Sequence, residues 1–122
     1  MPDQAATFLP AVRQTGVELI AAERRRQVDV EEWTAEHDAD HRDGELAWAA
    51  CYYAMPCMIF RRCADGGPCP ITPDEVFLET NWSRAWAKRA GKSRLRQLVV
   101  AGALIAAEID RRLAAGEVCE TP

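Results

Sequence analysis

Apolar residues recur every three or four positions in four segments of the chain, which is the spacing of one face of an α-helix. No segment has the regular alternation of apolar and polar residues that is typical of a half-buried strand. The predicted helices run from about Phe8 to Gln27, from Asp43 to Pro56, for a short stretch after Thr72, and from Ser93 to Gly116. The pattern predicts an all-α protein, an antiparallel bundle of about four helices forming one domain over residues 1–122.

Two of these helices carry apolar stripes that are predicted to face the core. The stripe of the last helix consists of Leu95, Leu98, Val99, Gly102, Ile105, Ala106, Ile109 and Leu113. The stripe of the second helix consists of Leu46, Ala49, Ala50, Tyr53 and Cys57. Asp43 is predicted to be the N-cap of the second helix, and Pro56 is predicted to end it.

The segment between the second and third helices is rich in turn-forming residues. Residues 63–73 combine two glycines with three prolines, which predicts a loop. Thr72 is a suitable cap and Pro73 a suitable first residue for the short helix that follows. Trp82 and Trp86 are four positions apart, and we expect both to be buried on one helical face.

Composition and charge limit the classes of molecule that the protein is expected to bind. The formal charge is −4 over 122 residues, so the surface as a whole is not the basic footprint of a nucleic-acid-binding protein. No apolar run has the length needed to cross a bilayer, and the first residues lack the basic and apolar blocks of a signal peptide. We therefore expect a cytoplasmic protein whose partners include neither nucleic acid nor a membrane.

Four of the five cysteines, residues 51, 57, 63 and 69, are spaced six apart. This spacing matches neither a zinc knuckle nor one face of a helix. The odd number argues against a complete disulfide framework, so free thiols in a reducing compartment are predicted. Cys63 and Cys69 flank a Gly-Gly-Pro turn and could approach each other, but a bridge is not predicted.

Carboxylates are concentrated between the first and second helices. Glu23 continues the apolar face of the first helix, where an unpaired charge is costly, and Glu45 lies in the first turn of the second. Between them are Glu31, Glu32, Glu36, Asp38, Asp40 and Asp43. Carboxylate oxygens are ligands for Mg²⁺ or Mn²⁺. The segment is therefore either a divalent-metal site or a solvated acidic loop in which Glu45 only complements the helix dipole.

Three further groups of residues have candidate roles. His37 and His41 are four apart, and without a third histidine or a nearby cysteine a polar or substrate-contact role is favoured over zinc binding. Trp33 is the best candidate for stacking on a base. Basic residues surround the start of the last helix, where backbone N–H groups add to their charge and favour phosphate. They are Lys88, Arg89, Lys92, Arg94 and Arg96, and their alternative role is a solvated basic patch.

Several blocks of sequence together resemble a small phage family among the MazG-like, all-α nucleoside triphosphate pyrophosphohydrolases. The blocks are Glu23-Arg-Arg-Arg-Gln27, Glu31-Glu-Trp-Thr-Ala-Glu-His-Asp38 through His41, Gly44-Glu-Leu-Ala47, Cys51-Tyr52 and Leu98–Ile109. The resemblance covers most of the chain except residues 63–72 and the last few. It is strongest to the MazZ type, which supports the synthesis of 2-aminoadenine DNA.

The resemblance implies hydrolysis of a nucleoside triphosphate to the monophosphate and pyrophosphate, with Mg²⁺ or Mn²⁺ as cofactor. The first candidate substrate is dGTP, followed by GTP and dATP, and dGMP would supply 2-aminoadenine nucleotide synthesis in the cytoplasm of an infected host. The resemblance also implies a homodimer or homotetramer. One rival is a noncatalytic helical phage protein whose acidic loop binds a basic partner. Another is a zinc-binding module that uses Cys63, Cys69, His37 and His41.

The resemblance assigns the metal roles residue by residue, and together with the separation of acidic from basic residues it suggests the others. Metal binding falls to Glu23, Glu36, Asp38 and Glu45, with Glu36 and Glu45 also catalytic. Gln27 and Trp33 are assigned to the base or sugar, and Lys92, Arg94 and Arg96 to the phosphates. The wider family pattern, EExxE followed by ExxD, is not intact here. Ala35 stands at the position of its third glutamate, and Trp48 stands at the position of its aspartate.

Overall fold

Helices and one β-hairpin make up the regular structure of the residues that this computed structural model describes, which are 14–42, 44–77, 89 and 91–122. The elements are α1 (Gly16–Asp29), α2 (Ala35–Asp38), α3 (Glu45–Ala54), β1 (Ile59–Arg62), β2 (Pro68–Ile71), α4 (Pro73–Phe77) and α5 (Arg94–Ala114). Helix α5 contacts α1, α2 and α3, so it is the element on which the others assemble. Within the described ranges, no helix is both long and apolar enough to span a bilayer.

Helix α1 begins with a capping box. The Thr15 hydroxyl accepts a hydrogen bond from the Glu18 N–H (3.2 Å), and the Glu18 carboxylate accepts one from the Thr15 N–H (3.1 Å). The helix therefore starts at Gly16, later than the predicted start near Phe8, which lies outside the described residues.

The hydrophobic core lies between α3 and α5. Four residues of the predicted α3 stripe are buried, namely Leu46, Ala49, Ala50 and Tyr53, and they pack against Val100, Ala101, Leu104 and Ala107 of α5. Cys57, the fifth predicted member, is exposed because the helix ends at Ala54. Gly44 is the N-cap of α3, with a φ of +82°, in place of the predicted Asp43, which lies outside the described residues.

The predicted inward stripe of α5 is largely wrong. Its larger members are about half exposed: Leu95 64 %, Leu98 44 %, Ile105 49 %, Ile109 51 % and Leu113 50 %. The buried apolar face consists mainly of smaller residues, and Leu104 is its one larger member. The smaller residues are Val99, Val100, Ala101, Ala103 and Ala107. Small side chains let neighbouring helices approach closely, and a Cβ atom at Gly102 would overlap with the Ile20 side chain of α1. Close packing thus selects the small-residue face over the bulkier one.

A two-stranded antiparallel hairpin spans residues 59–71, and its turn and second strand lie in residues 63–73, the segment that was predicted to be a loop. Ile59 pairs with Ile71 and Arg62 with Pro68. The turn includes Gly66 with a φ of +86°, and the Asp65 carboxylate accepts a hydrogen bond from the Gly67 N–H (2.9 Å). The hairpin is a departure from the all-α architecture. Alternation did not reveal it, because β1 has three consecutive exposed residues.

Cys63 and Cys69 form a disulfide across this hairpin, with Cα atoms 5.4 Å apart. The prediction of free thiols is therefore wrong for this pair, because pairing of the strands brings together two cysteines that the sequence separates by six positions. Cys51, Cys57 and Cys119 are free and exposed.

Helix α4 is joined to the core through Tyr52. Thr72 caps this helix as predicted, since its hydroxyl accepts a hydrogen bond from the Glu75 N–H (3.3 Å). The Tyr52 hydroxyl donates to Asp74 (2.7 Å), and the Arg89 guanidinium donates to the Tyr52 carbonyl (2.7 Å). The predictions made for Trp82, Trp86 and Lys88 fall outside the described residues.

Candidate metal centre

A cluster of three potential metal ligands lies on α2 and the turn that follows it. One ligand atom each from His37, Asp38 and His41 lies within 4.8 Å of the other two. The local backbone creates this proximity. Thr34 accepts hydrogen bonds from the N–H groups of His37 and Asp38, and the Asp38 carbonyl then accepts one from the His41 N–H (2.9 Å). A single helical turn followed by a tight turn therefore presents the three side chains together.

The donor set has a geometry that one ion can bridge. His37 Nδ1 lies 3.2 Å from Asp38 Oδ1. Two ligands bound at about 2.1 Å to one ion and at right angles to each other are about 3 Å apart, so this separation suits a shared cation as well as a hydrogen bond. Asp38 is 2 % exposed and His37 is exposed, so the cluster extends from a buried carboxylate to the surface.

Arg24 of α1 holds the buried carboxylate in place. Its Nη2 donates to Asp38 Oδ2 (3.3 Å), and its Nη1 donates to the Trp33 carbonyl (3.3 Å). Arg24 Nε also lies 3.5 Å from Asp110 of α5. Because Arg24 engages Oδ2, the other oxygen of Asp38 remains next to His37.

Glu45 holds the second histidine. Its carboxylate lies 3.1 Å from His41 Nδ1, and α3 presents it from its first turn. A carboxylate on one ring nitrogen of a metal-binding histidine fixes the orientation of the ring and makes the imidazole a stronger ligand. The rings of His37 and His41 meet edge to face, with centroids 5.1 Å apart.

The four predicted metal ligands are distributed unequally around this cluster. Asp38 belongs to it, and Glu45 contacts it through His41. Glu36 is on α2 but exposed, and Glu23 belongs to a different cluster. Within the described ranges, no other set of three histidine, cysteine or acidic side chains meets the same distance criterion. The four carboxylates therefore do not form one group, and two histidines contribute instead.

Glu23 is buried against arginines. Its carboxylate accepts hydrogen bonds from Arg26 (2.8 and 2.9 Å), from Arg96 and from the Gln27 amide (3.1 Å). Burial by itself would raise the pKa of Glu23, but the hydrogen bonds from Arg26 and Arg96 outweigh it and lower the pKa below 4.5. The counter-charge that the sequence predicted for Glu23 is thus supplied by two guanidinium groups.

Gln27 and Trp33 do not lie where a base could easily reach them. Gln27 is 0 % exposed and its amide supports Glu23 from inside, which argues against the predicted base contact. Trp33 is half-buried and packs against the core between α3 and α5.

The predicted phosphate-binding cluster is divided among structural contacts. Arg94 donates to the carbonyls of Tyr53, Ala54 and Met55 and so caps the carboxyl end of α3, which argues against its role as a phosphate ligand. Arg96 binds Glu23, and Lys92 is half-buried. The sequence could not show the capping role of Arg94, because the groups that it binds are backbone carbonyls, which every residue has.

A cavity of about 430 Å³ lies between α1 and the start of α5. Arg26, Arg96 and Ser93 line it together with Glu23 and apolar residues such as Leu19 and Val99. The side chains of Arg26 and Arg96 are each 39 % exposed, so both guanidinium groups stay within reach of an incoming ligand.

Comparison with protein-family models, with curated proteins and with solved structures gave no match. The site is therefore described by its own geometry. Sequence reasoning missed Arg24 and Asp110, whose partners lie 14 and 86 positions away along the chain. The sequence did contain a signal for the two histidines. They are four positions apart with an aspartate between them, and this spacing places potential ligands on one side of a helical turn.

Proposed function

We propose that this protein is a divalent-metal-dependent hydrolase that converts a nucleoside triphosphate to the monophosphate and pyrophosphate. The observation that supports the proposal most is the cluster of His37, Asp38 and His41, in which Arg24 and Glu45 hold two of the three side chains. Asp38 is buried and paired with Arg24 through Oδ2, and its Oδ1 lies beside His37, an arrangement in which one cation could be shared.

The donor set favours Mn²⁺ over Mg²⁺. Magnesium in proteins is bound mainly by oxygen atoms and keeps several waters, whereas two imidazoles and one carboxylate suit a softer transition metal. A divalent ion held there would neutralise phosphate oxygens and lower the pKa of a water molecule. The protein's own residues would have three roles. Arg24 would position Asp38, and Glu45 would orient His41. An exposed carboxylate such as that of Glu36 would accept a proton.

The phosphates have a candidate binding surface in Arg26 and Arg96. Both guanidinium groups border the cavity beside α5 and are only partly covered by their contacts with Glu23 and Glu31. Guanidinium groups bind phosphate oxygens through paired hydrogen bonds. These contacts bear only on the phosphates. The choice of dGTP as the first substrate to test, of GTP and dATP as the next, and of the cytoplasm of a phage-infected host as the setting rests on the resemblance in sequence alone.

The direct test is release of pyrophosphate from a panel of nucleoside triphosphates with Mn²⁺ or Mg²⁺. We expect Asp38→Asn to lower the rate by about 100-fold or more, because it removes a charged ligand. Asp40→Asn is the matched control, since Asp40 is two positions away and exposed. If no nucleotide is cleaved, or if both variants behave alike, the proposal fails.

The rival is a noncatalytic helical protein that binds a basic partner through its acidic loop. A thermal melt with Mn²⁺ distinguishes the two, because a ligand of the native state stabilises it by about 2.7 kcal/mol at 100 times its dissociation constant. An enzyme of the proposed kind gains this stability with Mn²⁺, and Asp38→Asn abolishes the gain. A zinc module that uses Cys63 and Cys69 is disfavoured, since these sulfurs are bonded to each other.

A further inference from the structure

The two strands of the hairpin form a sheet by themselves within the described ranges, so each strand has an outer edge. The Cys63 N–H donates to the Gly67 carbonyl (2.7 Å). Bonded and non-bonded pairs alternate in an antiparallel ladder, so the register makes Arg61 and Cys69 the next bonded pair. At the pairs between the bonded ones, the N–H and C=O groups of both strands point outward.

The outer edge of β2 lacks hydrogen-bond donors. Pro68 and Pro70 occupy the outward-pointing positions of this strand, and proline has no N–H group. An approaching chain therefore finds only carbonyl groups along β2. Prolines at such positions are one of the means by which proteins keep a strand edge unpaired.

The outer edge of β1 keeps both its donors and its acceptors. Phe60 and Arg62 lie opposite the two prolines in the register, so their N–H and C=O groups point away from β2. Both side chains are exposed, that of Phe60 by 66 %. The hairpin is thus closed to a further strand on one edge and open to it on the other.

We propose that the outer edge of β1 binds an extended peptide segment of another protein, which adds to the hairpin as a third strand. Main-chain hydrogen bonds to Phe60 and Arg62 supply affinity, and the side chains beside them select the sequence. These two residues are two positions apart and so share one face of the strand. The segment that fits has an apolar residue beside Phe60 and, two positions along, an acidic residue beside Arg62.

A cavity of about 240 Å³ lies at the same end of the hairpin. Its lining consists of Phe60, Arg61, Arg62, Gly66, Gly67 and Pro68. The cavity therefore adjoins both residues whose backbone groups point outward, and it gives a side chain of the added strand a place to pack.

Charge favours an acidic segment over a second copy of this chain. Residues 58–71 contain Arg61 and Arg62 but only one carboxylate, that of Asp65, whereas the whole chain has a formal charge of −4. The Asp65 carboxylate is bonded within the turn to the Gly67 N–H (2.9 Å). An acidic segment is thus attracted to this part of a net negative protein. A second copy would bring its own two arginines to the same edge, where like charges repel.

The disulfide between Cys63 and Cys69 prepares the hairpin for binding. A two-stranded hairpin has little stability of its own, and a cross-link between its strands limits how far they separate. A strand that is already ordered loses less conformational entropy when a partner adds to it.

Amide hydrogen exchange of the full chain, followed by NMR, tests whether the edge is open. In the free protein the N–H groups of Phe60 and Arg62 should exchange at least about 10-fold faster than that of Arg61, because only Arg61 is bonded to β2. Equal protection of all three would show that another segment of this chain covers the edge, and would overturn the proposal. Protection that rises with protein concentration would assign the edge to a second copy and would contradict it as well.

A blocked hexapeptide of sequence Thr-Ile-Thr-Glu-Thr-Thr is the probe for strand addition. It should slow exchange at Phe60 and Arg62 and leave the amides of α5 unchanged. The same peptide with methyl groups on its backbone nitrogens is the matched control, since it keeps the side chains and loses the donors. Its affinity should be at least about 10-fold lower, because a ladder needs those donors. Equal affinity of the two peptides would mean that no third strand forms.

Charge reversal tests the selection of an acidic residue. Arg62→Glu should weaken binding of the probe at least about 10-fold, and a peptide with lysine in place of its glutamate should recover the affinity for this variant. Arg25→Glu is the matched control, because Arg25 is exposed on α1, and it should bind the probe as wild type does. If the two variants lose affinity equally, only net charge attracts the peptide and the proposal fails.

Discussion

At the scale of single residues, two buried carboxylates take different counter-charges. Glu23 is surrounded by two arginines and an amide, whereas Asp38 has one arginine on one oxygen and a histidine on the other. A carboxylate with guanidinium groups on both oxygens has little capacity left for a cation, while one oxygen of Asp38 still faces another potential ligand. Asp38 is thus the better candidate for a metal ligand.

Arg24 should influence metal affinity without touching the metal. We expect Arg24→Gln to weaken Mn²⁺ binding about 10-fold, the lower end of the effect of losing a residue that orients a ligand. Titration calorimetry of the folded protein measures this. Arg25→Gln removes the same charge at the neighbouring, exposed position and should change the affinity little. Equal effects of the two variants would indicate that only net charge matters.

Glu23 should make stability depend on pH in the acid range. Its pKa is lower in the folded chain than in the unfolded chain, so the unfolded chain binds the proton first as the pH falls. The contribution of Glu23 to stability is therefore complete above pH 4.5 and is lost as the pH falls through the folded-state pKa.

Glu23→Gln should accordingly lower the free energy of unfolding by about 2 kcal/mol near neutral pH, and the difference from wild type should shrink towards pH 3. Denaturant unfolding across this range is the measurement, and Glu120→Gln in the exposed tail is the control. A difference that stays constant with pH would contradict the assignment. Protonation of Glu108 also lowers stability in acid, because the pKa of Glu108 is lowered in the folded chain, mainly by a hydrogen bond from Arg111. This loss occurs in both wild type and variant, so it does not contribute to the difference between them.

At the scale of the elements, the sequence predicts where helices begin and end better than which way they face. Thr72 caps a helix as expected, and Ser93, the predicted first residue of the last helix, is its N-cap. A hydroxyl that accepts a backbone N–H is a local interaction. The buried face of α5 depends on the surfaces of α1 and α3, which no local pattern contains. Side-chain size misled the prediction, because all the large apolar residues of α5 except Leu104 are about half exposed, whereas most of its buried residues are small.

A substitution at Gly102 tests how closely α1 packs on α5. Alanine is favoured over glycine inside an exposed helix by about 1 kcal/mol, yet Gly102→Ala should destabilise the fold by about 1–3 kcal/mol because its methyl group meets Ile20. Thermal unfolding gives the sign. Gly16→Ala on α1 has no neighbour in its way and should not destabilise. The combination with Ile20→Ala should be less damaging than the sum of the two single changes.

The hairpin gives a chemical prediction. With Cys63 and Cys69 bonded, a thiol reagent should label three cysteines in the denatured, unreduced protein and five after reduction. Five labelled thiols before reduction, in protein purified without reductant, would show that the bridge does not form. Cys63→Ser should leave Cys69 as an additional free thiol, which raises the count before reduction from three to four.

At the scale of the whole molecule, the described residues form five helices and one hairpin, and the contacts that define the site join distant parts of the chain. Arg96 reaches Glu23 across 73 positions, and Arg94 reaches Tyr53 across 41. The acidic segment predicted a cation site from local composition, and Asp38 and Glu45 lie at or beside the cluster that the structure forms. The roles of the arginines were misassigned because their partners are remote in sequence.

The position of α5 along the chain has a consequence for biosynthesis. This helix supplies one side of the core and the guanidinium groups that bind Glu23 and the end of α3, yet it is the last regular element of the described chain. During translation, α1 and α3 are made without the surface that they bury. The apolar side chains of α3 therefore stay exposed to chaperones and proteases until α5 has left the ribosome, so stalled synthesis before residue 94 should yield a fragment that is degraded rather than folded.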